Sequence, residues 1–510
     1  MVGHFRKITD SAVPEDPIDR FHLGSTHEET SVNDKEAWGG PAEMSAWEAL
    51  MWRAESDPRT RSTGMLLEIL DQAPEWNRFV AAHERTVQEI PRLRDRVVVP
   101  PVPLVQPVWS PDPEFDLDHH VRTLELPSPG SHRQLLDLCE SVLEPDLDPN
   151  RPPWQSFLVT GLEGGRAALA FKLHHSLSDG MGLIQLLSLA HSSSRQPSRA
   201  TLAAVPFLPD RPSYSSTSLL GTTLRKRILG GPQELTRRAA GVTGLVRQII
   251  HGPTDVMVRG VTYAQSLKRV LTPSEIGRSP LLAGSGTGVR LLTVDVPLAE
   301  LKAAGKLAGC SINDAFMAGF LGGMRRYHEH HGSPVDVLLI GMPISIRQES
   351  DAGGGNKFAP ARFAAPMSEP DPVARMKLIA DFVRTARGEA AMGFLDHVSP
   401  VLSKLPSSTI IEITAGLASA SDFQVSNIKG IESEVFLAGA KVLGMYALAP
   451  RPGVAGTLAM VTYNGSCCLG FNVDPEVFTD LDVFESCIRE GFDEVLATDN
   501  SADPTQSAQR

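Results

Sequence analysis

The most constraining feature of the sequence is a pair of apolar, strand-like runs that leads into a polar turn and then a helix. Residues 156–162 and 167–173 each have the length and composition of one strand, and Glu163-Gly164-Gly165 between them predicts a tight turn. The leucines and isoleucine after Gly180 recur at helical spacing and predict a buried helix. The sequence therefore predicts a strand hairpin that continues into a buried helix.

The length of the chain indicates more than one domain. Its 510 residues exceed the usual span of a single hydrophobic core. From composition and hydrophobic pattern we predict a disordered extension at residues 1–43, a first domain at 44–192, a linker at 193–289, a second domain at 290–497 and a polar tail at 498–510.

The charge and the cysteines exclude several classes of protein. A net charge of −12 argues against a general binder of nucleic acid, which needs clustered Lys and Arg. The sequence has no secretory signal pattern and no apolar run long enough to span a membrane. Its five cysteines have no C-x-x-C spacing, which is typical of a reduced cytoplasmic protein. We therefore expect a cytoplasmic location, with any lipid contact peripheral, at the inner membrane or a lipid droplet.

A basic stretch at residues 224–250 allows two interpretations. Its arginines alternate with apolar residues, so it could lie as amphipathic helices on an anionic membrane or lipid-droplet surface. It could equally form a pair of helices that bridges the two domains. We favour bridging helices, and the two interpretations are compatible.

The segment His174-His175-Ser176-Leu177-Ser178-Asp179-Gly180 carries the strongest chemical signal. Side chains alternate along a strand, so the two adjacent imidazoles should point in opposite directions, and only one can face a given cavity. Asp179-Gly180 permits a sharp turn into the next helix. A neutral imidazole is an effective general base near neutral pH. The alternative is two histidines that only satisfy hydrogen bonds at the end of a strand.

Other candidate motifs do not have the pattern that their chemistry needs. The glycine-rich residues 284–288 precede a predicted strand, whereas a phosphate-binding loop precedes a helix. His328-Glu329-His330-His331 lacks the final histidine of a zinc-binding H-E-x-x-H helix, so we interpret it as a solvated helix end and predict no metal site. No G-x-S-x-G occurs, which argues against a serine hydrolase.

The histidine segment resembles the active-site motif of the bacterial wax ester synthase/diacylglycerol acyltransferase family, within the coenzyme-A-dependent acyltransferase superfamily. The resemblance extends from about Ser45 to Leu496. Further blocks that are similar to the family are residues 115–122, 126–130, 147–154, 312–315, 322–327, 342–347 and 355–356. The sequence departs from the family where Ser426-Asn427-Ile428-Lys429-Gly430-Ile431 lacks two usual prolines, where Pro153-Trp154-Gln155 replaces Leu-Trp-Glu, and where the opening block is poorly matched around residues 46–48.

The resemblance implies a fold and an activity. The fold is two chloramphenicol-acetyltransferase-like α/β domains, each a mixed sheet flanked by helices, with a central tunnel between them. The activity is transfer of a long-chain acyl group from acyl-CoA to diacylglycerol, which gives triacylglycerol, and also to long-chain alcohols, which gives wax esters. Acyl-CoA would be a co-substrate, and no permanently bound cofactor is expected.

The resemblance also implies roles for particular residues. His175 would be the general base, and His174 would pack or orient its neighbours. Asp179, followed by Gly180, would be structural, with Arg347 as its partner. Asn313 would stabilise the oxyanion or line the tunnel, although it could instead be a helix N-cap.

Two alternatives to lipid acyl transfer stay open at this point. The same motif occurs in condensation domains of peptide synthesis and in polyketide-associated acyltransferases, which use other acceptors. The second alternative is a non-catalytic lipid-binding protein that keeps the fold.

Overall fold

The structure, a computed structural model, describes residues 38–101, 105–197, 213–216, 218–219, 277–284, 286–345, 358–387, 407–418 and 420–500. The first part of the chain forms helices α1 (Ala46–Ala54), α2 (Trp76–Glu89), α3 (Leu117–His120), α4 (His132–Leu143) and α5 (Gly180–Ala190). It also forms strands β1 (Thr63–Leu70), β2 (Asp95–Val98), β3 (Val108–Pro111), β4 (Val121–Glu125), β5 (Trp154–Thr160) and β6 (Ala167–His174).

The second part of the chain begins with β7 (Arg290–Pro297). Its helices are α6 (Leu298–Leu307), α7 (Ile312–His330), α8 (Pro372–Arg387), α9 (Ser407–Ala418) and α10 (Leu481–Asn500). Its remaining strands are β8 (Val337–Ser345), β9 (Phe358–Pro366), β10 (Phe423–Ile428), β11 (Phe436–Leu437), β12 (Ala440–Leu448), β13 (Gly456–Tyr463) and β14 (Ser466–Val473).

Two six-stranded sheets organise the fold. The strand order is β11-β12-β1-β6-β5-β4 in the first sheet and β7-β14-β13-β10-β8-β9 in the second, and β2 pairs with β3 in a separate ribbon. Both large sheets mix parallel and antiparallel pairs. One buried apolar core contains residues of both sheets, and a second core lies on the second sheet. Every residue of β1 and β6 is buried, as expected for central strands that are covered on both faces.

The predicted hairpin and the helix after it are confirmed. Strands β5 and β6 pair antiparallel around a turn at Glu163–Gly165, where Gly164 adopts φ 74°. Helix α5 begins at Gly180 and buries four of its predicted apolar residues, but Leu189, which was predicted to be buried with them, is 41% exposed. Helices α4 and α7 begin with capping boxes, in which a serine and the side chain three residues later each accept a backbone N–H of the other.

The first sheet is not built from the first part of the chain alone. Strand β12 pairs antiparallel with β1, so that Met65 lies opposite Leu448, and β11 extends the sheet beyond it. The Tyr446 hydroxyl then donates to the Asp295 carboxylate on β7, which ties β12 to the second sheet. The predicted domain boundaries stay a prediction, but a division at residue 290 would separate strands that share one sheet.

Helix α4 also joins the two parts of the molecule. Its Arg133 guanidinium donates to the carbonyl of Leu291, and its Glu140 carboxylate accepts the Leu291 N–H at 2.9 Å. Arg290 pairs with both Asp137 and Glu140 of the same helix. Opposite charges on α4 and β7 therefore align the first part of the chain with the second.

The predicted extension at 1–43 is wrong at its end. The Arg92 guanidinium donates to the carbonyls of Gly40 and Pro41, and the Trp109 N–H donates to the carbonyl of Ala42. Residues 38–43 therefore belong to the fold, because they cover β3 and supply its edge with hydrogen bonds. Residues 1–37 lie outside the described residues.

The predicted linker and tail are described only in part. The basic stretch at 224–250 lies outside the described residues, and so does the tail from 501 onward. Helix α10 continues to Asn500, three residues past the predicted end of the second domain. Where the chain becomes described again, the N–H groups of Ser279 and Leu339 both donate to the buried carboxylate of Asp422, which anchors the segment to the second sheet.

Candidate active site

The histidine motif lies at the end of β6, as the sequence predicted. Thr63 of β1 lies opposite His174, the last residue of the strand. The N–H of His175 donates to the carbonyl of Ser62 at 2.9 Å, which continues the ladder by one hydrogen bond. A short turn then leads to Gly180, the first residue of α5.

The His174 imidazole is enclosed by the protein. Its side chain is 1% exposed, and its Nδ1 accepts the backbone N–H of Ser176 at 3.0 Å and lies 2.7 Å from the hydroxyl of that residue. Its Nε2 lies 3.2 Å from Oε2 of Glu55, and the Trp52 ring contacts it edge-on with 5.0 Å between centroids. His174 is therefore packed among Trp52, Glu55 and Ser176, and its predicted part in orienting neighbours stays a prediction.

His175 lies in a different environment. It is only half-buried, whereas His174, Ser176, Leu177 and Ser178 around it are all buried. Strand alternation ends at His174, the last residue of β6, and His175 lies in the turn that follows. Of the two histidines, His175 is the less buried.

Asp179 caps the helix that follows the motif. Its Oδ1 accepts the N–H of Gly182 at 2.8 Å, and the residue is 8% exposed. A carboxylate at this position satisfies an otherwise unpaired N–H and interacts favourably with the positive end of the helix. Arg347, its predicted partner, lies outside the described residues, so that pairing stays a prediction.

The altered block at residues 426–431 lies directly against the motif. A Cβ atom on Gly180 would lie 2.6 Å from Cδ1 of Ile428, the last residue of β10. The N–H of Gly430 donates to the Thr462 hydroxyl, and a Cβ there would overlap the Thr462 carbonyl. Lys429 is exposed and pairs with Glu432 at 3.2 Å. The departure from the family pattern therefore lies in contact with the start of α5.

Asn313 is not the N-cap of its helix. Ser311 caps α7, and Asp314 completes the capping box, so Asn313 is the second helical residue and is half-buried. The N-cap alternative is wrong because Ser311 already accepts the N–H that a cap would take. A role for Asn313 in oxyanion binding stays a prediction.

Two blocks of the resemblance are explained by packing. The His120 ring stacks between Phe115 and Trp154, and its Nδ1 lies 2.7 Å from the Trp154 carbonyl. Trp154 stacks in turn on Phe171 of β6. Burial lowers the pKa of His120 to about 4, so the ring is neutral near pH 7. This aromatic row supports the strand that carries the motif.

The far end of α5 is anchored by a buried pair. Nε2 of His191 lies 3.0 Å from Oε2 of Glu68 on β1, and its Nδ1 lies 2.6 Å from the Leu187 carbonyl. Burial alone would lower the pKa of His191, but the Glu68 carboxylate outweighs burial and raises it. Helix α5 is thus fixed by Asp179 at its start and by His191 just beyond its end.

Sequence reasoning missed the groups that hold the motif in place. Glu55 and Trp52 belong to α1 and its end, more than a hundred residues before the histidines, and Ile428 lies far beyond them. None of the three belongs to a spacing pattern, because their contacts depend on tertiary structure. The contact of Glu55 with His174 could have been expected only after the pairing of β1 with β6 had been predicted.

The other histidine run and the glycine-rich loop are structural. His328 is buried, with its Nε2 2.8 Å from the Ser279 hydroxyl, so the interpretation of this run as a solvated helix end is wrong for that residue. The Arg451 guanidinium donates to the carbonyls of Gly286 and Gly288 and pairs with Asp474. Arg451 therefore holds the glycine-rich loop against the fold just before β7. This agrees with the sequence argument that the loop does not bind phosphate.

Comparison of the sequence with known families finds two matches. The wax ester synthase/diacylglycerol acyltransferase catalytic domain matches residues 44–316, and the C-terminal domain of the same family matches residues 354–495. A Mycobacterium tuberculosis protein named "putative diacylglycerol O-acyltransferase" is 37% identical over 456 residues, which are 89% of this chain and 92% of the relative. A Mycobacterium bovis protein of the same name is 28% identical over 425 residues, 78% of this chain and 84% of the relative.

Solved structures agree on the fold. The wax ester synthase/diacylglycerol acyltransferase of Marinobacter aquaeolei superposes with a TM-score of 0.60 at 18% identity, over 90% of this chain and all of that one. The first condensation domain of the CDA synthetase superposes with a TM-score of 0.58 at 14% identity, over 89% of this chain and 96% of that domain. The α/β fold of the chloramphenicol-acetyltransferase type is thereby confirmed.

Among the described residues, no helix is both long and apolar enough to cross a membrane.

Proposed function

Because the chain belongs to the wax ester synthase/diacylglycerol acyltransferase family and is an acyltransferase, we propose that it moves a long-chain acyl group from acyl-CoA to the free hydroxyl of diacylglycerol. Long-chain alcohols are the second acceptor class, with wax esters as products. The observation that carries the proposal is the half-buried His175, which is held at the end of β6 by its N–H bond to Ser62 and is separated from the enclosed His174.

The reaction needs one proton carrier and no enzyme nucleophile. His175 takes the proton of the acceptor hydroxyl while that oxygen attacks the thioester carbonyl. A C–O bond forms, and the carbonyl oxygen becomes an oxyanion. As the tetrahedral intermediate collapses, the C–S bond breaks, and the imidazolium returns its proton to the coenzyme A thiolate. The products are an ester and free coenzyme A, and His175 is again neutral.

The remaining predicted residues have supporting roles in this proposal. Asp179 fixes the start of α5 and so the turn that presents His175. Asn313 is the proposed donor to the oxyanion, and Arg347 is the proposed partner of Asp179. Both acceptor classes are lipids, so we include peripheral contact of a cytoplasmic protein with a membrane or a lipid droplet in the proposal.

Acceptor-dependent thiol release tests the function. Purified protein is given palmitoyl-CoA with diolein, hexadecanol or no acceptor, and free thiol and lipid product are followed over time. We expect release only with an acceptor and formation of the matching ester. His175→Ala should lower kcat by about 10²–10⁴-fold, because a general base contributes that much. His330→Ala, which changes an exposed histidine at the end of α7, should leave the rate unchanged.

Other outcomes identify the alternatives. Release that is the same with and without acceptor would make the protein a thioesterase. Release only with amine acceptors would favour a condensation-type activity. Absence of release, together with binding of palmitoyl-CoA, would favour a non-catalytic lipid-binding protein.

A further inference from the structure

We propose that Glu55 is a positioning residue, which holds the turn after β6 so that His175 keeps its reactive geometry. The inference rests on the proposed function, in which His175 is the base. Glu55 is the residue that follows α1, and no motif of the sequence marks it. Its carboxylate lies where the end of α1, the start of β1 and the histidine turn meet.

Three groups from two elements converge on this one carboxylate. Its Oε2 accepts the N–H of Ser62 at 2.5 Å, and its Oε1 accepts the hydroxyl of Thr63 at 2.6 Å. The same Oε2 lies 3.2 Å from Nε2 of His174, a contact that is electrostatic rather than a linear hydrogen bond. Burial alone would raise the pKa of Glu55, but the contacts with His174, Thr63 and Ser62 outweigh burial and lower it. The carboxylate is therefore ionised at neutral pH.

The state of the His174 ring follows from its other nitrogen. A backbone N–H is always a donor, so Nδ1, which receives the N–H of Ser176, must present a lone pair. The ring proton then lies on Nε2, the nitrogen that faces Glu55. The carboxylate favours this tautomer electrostatically, and the tautomer in turn fixes the Ser176 N–H that shapes the turn.

The contacts form two routes from Glu55 to His175. One route passes through the His174 ring to Ser176, the residue on the far side of His175. The other passes through Ser62, whose N–H binds Glu55 and whose carbonyl accepts the N–H of His175. The His175 backbone is therefore held from both sides by a group that need not touch substrate. A displacement of about 1 Å at a reacting group can cost 10²-fold in rate.

Two substitutions separate geometry from charge. Glu55→Gln loses the charge, but its amide oxygen can accept from Ser62 and face His174, while its NH₂ donates to the Thr63 hydroxyl. Glu55→Asp keeps the charge, but it is one methylene shorter and cannot reach all three groups. We expect kcat to fall in the order wild type, Gln, Asp and Ala, with Gln within about threefold of wild type and Ala down by about 10–100-fold.

The kinetic pattern distinguishes positioning from general stability. KM for palmitoyl-CoA should stay within twofold in every variant, because Glu55 does not bind substrate. If Glu55 acts through His174, the loss in Glu55→Ala/His174→Ala should be smaller than the sum of the two single losses. Asp57→Asn removes a partly buried carboxylate two residues away, which pairs with Arg59 and does not contact the histidine turn, and should leave kcat unchanged.

The opposite results would overturn the proposal. A kcat order with Asp above Gln would make charge, not geometry, the property that matters, and a Glu55→Ala rate within twofold of wild type would remove the role altogether. If Glu55→Ala does not fold, the Gln and Asp variants still decide between the two orders.

A readout that does not depend on activity keeps this inference separate from the proposed function. Spectra of ¹⁵N-histidine-labelled protein, assigned with His174→Gln, should show His174 protonated at Nε2 in wild type and a changed tautomer balance in Glu55→Ala. Unchanged ring shifts would overturn the role of Glu55 even if the wild type transferred no acyl group.

Discussion

The two sheets contain the same hairpin–turn–helix arrangement. The two copies differ in how deeply the first residue of the turn is buried. In the first sheet β1 pairs with β6, β6 with β5, and β5 with β4, in the pattern antiparallel, antiparallel, parallel. In the second sheet β7, β14, β13 and β10 follow the same order and the same pattern. In each copy the second strand leads through a turn into a helix, α5 in one and α10 in the other.

The strand register makes the two turns comparable residue by residue. His174 lies opposite Thr63, the first residue of β1, and Val473 lies opposite Arg290, the first residue of β7. The residue after each is therefore equivalent: His175 in the first turn and Asp474 in the second. His175 is half-buried, whereas Asp474 is 0% exposed and pairs with Arg451 at 3.2 Å.

The difference lies in how each position is covered. In the second copy, Arg451 and the glycine-rich loop close over Asp474, so this turn stabilises the fold. In the first copy, Glu55, Trp52 and Ser176 enclose His174, and His175 is half-buried. The same backbone arrangement thus closes the fold in the second sheet, whereas in the first it carries the proposed general base.

The largest expected effect separates activity from stability at the equivalent positions. His175→Ala should lower kcat by about 10²–10⁴-fold and leave the melting temperature nearly unchanged, because the ring is half-buried. The measurement is kcat together with thermal unfolding of the same sample. A large loss of stability in this variant would place His175 among the closing contacts and would remove the contrast.

Asp474→Ala should show the reverse behaviour. Removal of the carboxylate leaves Arg451 buried without its partner, which costs about 3–5 kcal/mol in the free energy of unfolding. The measurement is chemical denaturation, with Glu476→Gln as a control that changes an exposed carboxylate in the same turn. Activity per folded molecule should be retained, and its loss would contradict the division of roles.

The anchors of the two helices should differ in their response to pH. The pKa of His191 is raised, so the His191–Glu68 pair stabilises the fold fully below about pH 6.5, and this contribution is lost as pH rises through the raised pKa. Each tenfold difference in proton affinity between the folded and unfolded states is worth about 1.4 kcal/mol. Glu494 of α10 is held by Arg375 and Arg326, which stay charged.

Hydrogen exchange as a function of pH measures this difference. After correction for intrinsic exchange, peptides of β1 and α5 should lose protection between neutral and alkaline pH, whereas peptides of α10 should not. His191→Gln should abolish the pH dependence in the first sheet. Equal loss of protection in both helices would show that the pair does not control the response.

The smallest effect concerns the contact between the motif and the altered block. Gly180→Ala places a methyl group 2.6 Å from the end of the Ile428 side chain, and we expect a loss of about 1–3 kcal/mol in stability. Ile428→Val shortens that side chain and should restore most of the loss in the double variant, as measured by denaturation. If the two losses simply add, the two residues do not press on each other.

The local parts of the site could be predicted from sequence, and the long-range parts could not. The hairpin and the helix after Gly180 follow from hydrophobic periodicity, which depends only on neighbouring residues. Glu55, Trp52 and Ile428 reach the motif through strand pairing over long separations, and periodicity does not report such contacts. The N-cap alternative for Asn313 failed because Ser311, two residues earlier, satisfies the same helix end.

The exchange of β12 into the first sheet has a consequence for synthesis of the chain. Strand β1 is complete early, but its pairing partner at Ala440–Leu448 follows almost four hundred residues later. At about 5–20 residues per second, the ribosome needs roughly 15 to 55 seconds between completing β6 and delivering β12. During that interval one edge of β1, a strand that is buried throughout in the folded protein, has no partner, and such edges promote aggregation. The first sheet is therefore complete only when this late strand has been made.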